Sequence, residues 1–363
     1  MNSSIRILAV NPGSTSTRIA LFEGTSEQAS SELTHLPVDL RCLPNIQDQL
    51  PLRLRAIQGF LEAQQVQVAS LDAVVGRGGL LHPLPHGTYR INERMLEDLR
   101  TGVQGQHASN LGGLLAFELV KDTGKPAFIV DPVVVDELLE RVRITGLKGI
   151  RRRPISHALS QVASGHRFAA ERSSRYDALN LIVAHLGGGI SVGAHHHGRC
   201  VDVNDALGGE GPFSPQRTGS LPAFPLIDLC YSGRHNRDQV RRMVVGEGGL
   251  MNLLGTSDVR VLTQRYLAGE SEVVEVLDAM VYAIAKAIAA LWPAFDGESV
   301  DQIIITGGVA RSEPLMAKLL KGLAALPAGI TLYPGENEML ALAEGALRVL
   351  EGREEAKDYA QRN

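Results

Sequence analysis

The stretch Asn11-Pro12-Gly13-Ser14-Thr15-Ser16-Thr17 lies between two apolar runs, Ile5 to Val10 and Ile19 to Phe22. A glycine and four consecutive hydroxyl residues let backbone N–H and side-chain O–H groups converge on anionic oxygens, so the segment reads as a phosphate-binding turn inside a β-hairpin. A Walker loop would lead into a helix and carry Gly-Lys-Ser/Thr, which occurs nowhere in the chain. The device recurs at Leu179 to Ala184, which runs into His185-Leu186-Gly187-Gly188-Gly189-Ile190-Ser191. Each copy has an echo downstream. Leu71 to Val75 enters Gly76-Arg77-Gly78-Gly79, and Val300 to Ile305 enters Thr306-Gly307-Gly308-Val309-Ala310. One such loop can simply end a buried strand; four in a repeated order point to two similar halves with a nucleotide held in a cleft between them.

Two carboxylates fall at turns after apolar strands, Asp131 beyond Phe128 to Val130 and Glu338 beyond Leu332 to Gly335. Magnesium needs only one or two such oxygens when nucleotide phosphates and water complete its shell. The alternatives are structural: Asp131 as the cap of a helix starting at Pro132, Glu338 as an acid favoured at a helix N-terminus. Arg77 and Arg217 stand among small residues, which suits bidentate contact with carboxylate or phosphate as well as surface ion pairs. His107 and His157 open helices and serve as caps, packing residues or hydrogen-bond donors.

The elements that must position these groups follow from pattern. Leu54, Ile57 and Leu61 share one face of a helix over 52–66, and Asn92 caps a helix through Leu99. Ser109 or Asn110 caps the next helix, and Ser156 the one carrying Ala158, Leu159, Val162 and Phe168. Residues 23–50 hold at most an edge strand. Val273 to Leu291 is an apolar helix, and Glu338 to Leu350 crosses back to the first half. The fold class is α/β, in two similar halves. The first domain spans 1–153 with the helix 338–363, the second 154–337, and the basic triplet Arg151 to Arg153 is a solvated face at the boundary. Among His195, His196 and His197, only His195 and His197 share a face of a strand, which makes an exposed hairpin tip the better reading than a metal site. Asp202 to Gly219 is a long Gly/Pro-rich loop of the kind that carries function.

With 363 residues and 44% apolar content the chain has room for two cores. A formal charge of −4 and no basic run beyond the triplet argue against nucleic-acid binding. Cys42, Cys200 and Cys230 are odd in number and far apart, as in a reduced cytoplasmic enzyme. No secretory signal opens the sequence, and Met280 to Phe295 is too short and too interrupted to span a bilayer.

Asn-Pro-Gly-Ser-Thr-Ser-Thr at 11–17, Gly-Arg-Gly-Gly-Leu-Leu at 76–81, His-Ala-Ser-Asn-Leu-Gly at 107–112, His-Leu-Gly-Gly-Gly-Ile-Ser at 185–191 and the Asp-Ala-Leu-Gly-Gly-Glu-Gly-Pro-Phe-Ser-Pro-Gln-Arg-Thr-Gly run at 205–219 resemble the butyrate kinase branch of the acetate kinase family. The resemblance implies an α/β fold of duplicated actin-like ATPase (ribonuclease H-like) domains, shared with sugar kinases and Hsp70 ATPases, and ATP-dependent formation of acyl phosphates from short carboxylic acids, with ATP/ADP and Mg2+ as cofactors. It places phosphate contacts on Asn11, Ser14 and Ser16, the metal on Asp131 and Glu338, and the reacting centre on Arg77, His157 and Arg217. The nucleotide falls on His185, Gly187, Gly188, Gly189, Gly307 and Gly308, with His107 as a further substrate-site candidate. It also implies a homodimer or larger homo-oligomer. Gly188 departs from the asparagine usual in acetate kinases, and Ala310-Arg311-Ser312 from their Gly-Glu-Asn. Another kinase on this fold, for acetate, propionate or a sugar, and a non-catalytic ATP-gated assembly protein are the alternatives.

Overall fold

The structure is a computed structural model that describes residues 4–36, 43, 45–335 and 337–360. The chain divides into two units, 1–135 with 337–363, and 136–336.

In the first unit, β1 (Arg6–Pro12), β2 (Ser16–Glu23), β3 (Ser26–Thr34), β4 (Ala73–Arg77), β5 (Thr88–Arg90) and β6 (Ala127–Val130) lie in the sheet order β5-β6-β4-β1-β2-β3. A short strand, Lys357–Asp358, joins at the β5 edge. β1, β2 and β3 form an antiparallel meander, while β4 and β6 run parallel to β1. Ile7 to Val10 are fully buried, as a continuous apolar strand covered on both faces must be. Residues 26–34 form the edge strand, polar and half exposed. The connecting helices are α1 (Leu50–Ala63), α2 (Glu93–Thr101) and α3 (Asn110–Val120).

Asn92 caps α2, its Oδ1 accepting from Met95 N at 3.0 Å, and Gly102 ends it at φ +66°. The cap expected of Ser109 on α3 is not made, because its hydroxyl bonds His107 Nδ1 instead. Asn110 turns back to accept from Leu80 N at 2.8 Å and donate to Gly105 O at 3.0 Å. Glycines let α3 lie against β4 backbone to backbone: a Cβ on Gly76 would sit 2.1 Å from Gly112 O, and one on Gly112 2.2 Å from Arg77 O.

The second unit repeats the plan. β7 (Asn180–Leu186), β8 (Ile190–His196), β9 (Arg199–Val203), β10 (Gln302–Gly307) and β11 (Gly329–Pro334) take the order β11-β10-β7-β8-β9, again an antiparallel meander followed by two parallel strands. α4 (Ala158–Glu171) precedes β7, α5 (Ser271–Ala290) precedes β10 and α6 (Glu313–Leu323) precedes β11. α5 places Val273, Leu277, Met280, Ile284 and Ile288 in one core with β7, β8 and β10. The chain then returns through α7 (Glu338–Leu350), which packs on β1, β4 and β6 of the first unit.

Several local expectations change. The division falls before Asp136, ahead of the basic triplet, because residues 136–153 bond to the second unit: Leu139 N donates to Val201 O at 3.1 Å, and Arg152 pairs with Asp202 and Glu210 at 3.0 and 3.2 Å. Within the triplet only Arg152 is partly buried; Arg151, on Glu140, and Arg153, 3.6 Å from Asp205, are exposed, as expected of a solvated face. His157, not Ser156, occupies the N-cap position of α4. A bulge at Ala194/His195 and a positive φ at His197 break the strand alternation at the hairpin tip. His195 is buried on Tyr176 Oη (2.6 Å) and Gln161, while His196 and His197 together face Glu298 at 3.3 and 3.1 Å. Cys200 is buried and Cys230 exposed, both free; Cys42 lies outside the described residues. No described helix is long and apolar enough to cross a membrane.

Candidate active site

In the first unit, two neighbouring strand ends and one helix start assemble a polar cluster. Asn11 near the end of β1 donates through Nδ2 to Glu338 Oε2 at 2.7 Å, and Arg77 at the end of β4 pairs with the same carboxylate. Glu338 is the first residue of α7, where the helix dipole favours its charge. His107 is exposed at one side, and its Nδ1 accepts from Ser109 N at 3.2 Å, which assigns the ring proton of the neutral form to Nε2. Desolvation by the protein packed around the ring first, then the Arg77 charge, holds His107 below the usual imidazole range.

Asp131 ends β6, next to β4, but no helix follows it. It is 2% exposed, sits at φ +38°, and its Oδ1 accepts from Gly87 N at 2.6 Å. Burial pushes its carboxyl up to about 6, against the lowering effect of His86 and Arg348. Its hydrogen bond thus goes to Gly87 and not to the Asn11–Glu338 pair.

The turn between β1 and β2 exposes Gly13, Ser14 and Thr15. Ser14 is open to solvent, whereas Ser16 Oγ donates to Glu32 Oε1 at 2.8 Å on the neighbouring strand. Behind the turn lies Arg53, fully buried on α1 and absent from the expected site. The inward face of α1 is Arg53, Ile57, Phe60 and Leu61 rather than one led by Leu54. The signal was an arginine four residues before Ile57 on the apolar stripe, which a sequence reading assigns to solvent.

The second unit builds its own cluster at the ends of β7 and β10, the edge where parallel sheets bind ligands. Gly188 O receives two bonds from the 205–219 loop, from Ser214 Oγ at 2.8 Å and Gln216 N at 3.1 Å. Arg217 is mostly buried there, donates through Nη1 to Ala206 O at 2.9 Å, and packs so tightly on Gly189 that a Cβ on that glycine would meet Nη1 at 1.9 Å. Burial draws the Arg217 guanidinium down and the Asp205 charge opposes this. Gly307, at φ +98°, fits against Leu186 O, and Gly308 is exposed with open space around it.

His157 and His185 stack with ring centroids 4.2 Å apart and planes 21° from parallel. Ser191 Oγ accepts from Gln161 Nε2 at 2.9 Å and from His157 N at 3.3 Å, so its proton goes to His157 Nδ1 at 2.8 Å. That assigns Nε2 as the N–H of neutral His157. Arg77, Asn11, Glu338 and His107 are thus gathered in one unit; Arg217, His157, His185 and the glycine loops in the other.

The model of the acetokinase family matches residues 145–346. Butyrate kinase 2 of Clostridium acetobutylicum is 47% identical over 98% of this chain and 99% of its own length. A probable butyrate kinase of Clostridium botulinum is 44% identical over 98% of this chain and 100% of its own. Among solved structures, acetate kinase of Porphyromonas gingivalis superimposes with a TM-score of 0.76 at 18% identity, covering 94% of this chain and 99% of that one. A propionate kinase from Francisella tularensis superimposes with a TM-score of 0.74 at 17% identity, covering 94% and 98%. The duplicated meander-plus-parallel sheets are the fold of those enzymes, and the chain belongs to the acetokinase family.

Proposed function

We propose that this protein transfers the γ-phosphoryl group of ATP to a short-chain carboxylate, butyrate or a branched acid of similar size, and runs in reverse to form ATP. The protein is an ATP-dependent carboxylate kinase by family, and the near full-length likeness to butyrate kinases carries the choice of acid. A carboxylate is ionised at neutral pH, so its oxygen attacks phosphorus without a general base. The new O–P bond forms as the bond to the ADP oxygen breaks, and the nucleotide keeps the electron pair. What the protein must overcome is repulsion between two anions. Arg77 and Arg217 supply planar, permanently charged forks for the carboxylate and the equatorial phosphoryl oxygens, and His157 donates from Nε2. His107 is a further donor beside Arg77. The 185–189 and 306–309 loops take the nucleotide, and Asn11, Ser14 and Ser16 take phosphate; Ser16 is then free to leave Glu32.

Magnesium would fall on the Glu338 carboxylate, a hard oxygen donor at a partly exposed helix start, in exchange for its Asn11 amide or Arg77 partner. When bound it would neutralise phosphate charge. Asp131 would act on it through charge, its carboxylate being too buried to share a hydrated ion directly.

The protein is proposed to work in the cytoplasm as a homodimer. The helix Ala223–Tyr231 has no buried residue although it reads Ala-Phe-Pro-Leu-Ile-Asp-Leu-Cys-Tyr; Phe224 is 81% and Tyr231 87% exposed. A patch of that kind is covered by a partner in most proteins, here a second copy. Phe224→Asp combined with Ile227→Asp is expected to halve the mass seen by light scattering. A wild-type monomer, or an unchanged dimer in the double variant, removes this surface from the assembly.

The reaction is tested by ADP release with Mg-ATP across formate, acetate, propionate, butyrate, isobutyrate, valerate and a sugar, with hydroxylamine trapping acyl phosphate as hydroxamate. Hydroxamate is expected from butyrate or isobutyrate above acetate. ADP release on the sugar alone, with no hydroxamate from any acid, overturns the reading.

A further inference from the structure

Arg53 spends all five of its N–H donors inside the first unit. Nη1 donates to Ser16 O at 2.8 Å and Thr17 Oγ1 at 2.9 Å, Nη2 to Ser14 O at 3.2 Å and Gln49 Oε1 at 2.8 Å, and Nε to the same Gln49 oxygen at 3.2 Å. Every acceptor is neutral. Among the described residues no carboxylate pairs with this guanidinium, although it is fully buried. Burial draws it down to about 10, which leaves it charged at neutral pH. Thr17 Oγ1 accepts from Arg53 and shares a second hydrogen bond with His35 Nε2 at 2.9 Å. His35 in turn donates its backbone N–H to Thr15 O at 2.9 Å.

The carbonyls of Ser14, Thr15 and Ser16 are therefore all drawn inward, toward Arg53 and His35. The amides of Ser14 and Thr15 make no hydrogen bond to described protein atoms, and both residues are exposed. Acceptors in, donors out and a buried positive charge behind make an anion-binding concavity. An unpaired buried cation is costly unless an opposite charge approaches it, and a phosphate on the loop supplies one.

We infer that Arg53 is the positioning residue of the phosphate loop, its fork fixing the Ser14 and Ser16 carbonyls so that the neighbouring amides face the nucleotide phosphates. This rests on the reading of 11–17 as that loop. Arg53 itself does not touch the substrate.

The test compares Arg53→Gln and Arg53→Lys with the parent protein. Both are expected to raise the KM for Mg-ATP roughly 10- to 100-fold, the range for residues that orient ligand-contacting groups. The KM for butyrate should stay within about twofold of the parent value, because that substrate is not held by this loop. Lysine keeps the charge and loses the fork, so it rescues little. A purely structural role predicts a lower melting temperature with both KM values unchanged, and that result in folded variants overturns the inference. Should Arg53→Gln not fold, Gln49→Leu, which releases Nε and one Nη2 bond, must shift the Mg-ATP KM in the same direction; no shift counts against it equally. Calorimetric binding of Mg-ATP to the parent protein separates the two readings. Binding without acyl transfer fails the proposed reaction alone and moves the Arg53 test to Kd, whereas no binding of nucleotide overturns the loop assignment and this inference together.

Discussion

Arg217→Ala, recovered in folded form, is expected to lose roughly 100- to 1,000-fold in kcat in the hydroxamate assay, the cost of removing one donor aimed at charge that develops in the transition state. The size follows from where the guanidinium stands. It is largely buried beside the glycine loop of β7, one Nη1 bond holds it to Ala206 O, and its remaining donors are available for an anionic oxygen. Arg217→Lys keeps a charge but gives up the planar fork and is expected to recover only a small part of the loss. Gly189→Ala approaches the same atom from the other side, since its Cβ would meet Nη1 at 1.9 Å, and should lower kcat in the same direction by pushing the guanidinium off its seat. Near-normal turnover in folded Arg217→Ala would remove this residue from the reacting centre.

The β-hairpins at 5–22 and 179–194, the glycine loops and the duplicated order were legible because they are local: an apolar run, a turn chemistry and a second run fit in about fifteen residues. What escaped was set by tertiary contact. Ser156 looks like a cap and His157 takes that place, because Ser191 and Gln161, more than thirty residues of chain away from the ring or on its own helix, hold the imidazole there. Arg152 reads like its solvated neighbours Arg151 and Arg153, yet the fold brings Asp202 and Glu210 to it. Arg53 is the clearest case, since beside Gln49 and Thr17 its acceptors are backbone carbonyls of residues 14 and 16, and no spacing rule encodes a carbonyl. Asp131 shows the limit for carboxylates: its position after a strand is visible in sequence, but its burial and its bond to Gly87 are not.

Glu338→Gln is expected to raise the Mg2+ concentration needed for half-maximal activity and to lower kcat at saturating Mg2+, with a combined loss of roughly 100-fold or more, above the range for residues that only orient metal ligands. The carboxylate meets Asn11 and Arg77 at once, so two outcomes separate cleanly. As a structural ion pair, Glu338 contributes to holding α7 on the ends of β1 and β4; its loss would lower the melting temperature and leave the Mg2+ titration where it was. As a metal ligand, its loss shifts the titration even in a variant whose melting temperature is unchanged, because glutamine accepts a hydrogen bond from Asn11 yet brings no charge to the ion. Asn11→Ala removes the neutral partner and leaves the charge, so its Mg2+ shift should be the smaller of the two. An unshifted Mg2+ midpoint in both variants would leave the pair as scaffold and remove Glu338 from the ion's ligands.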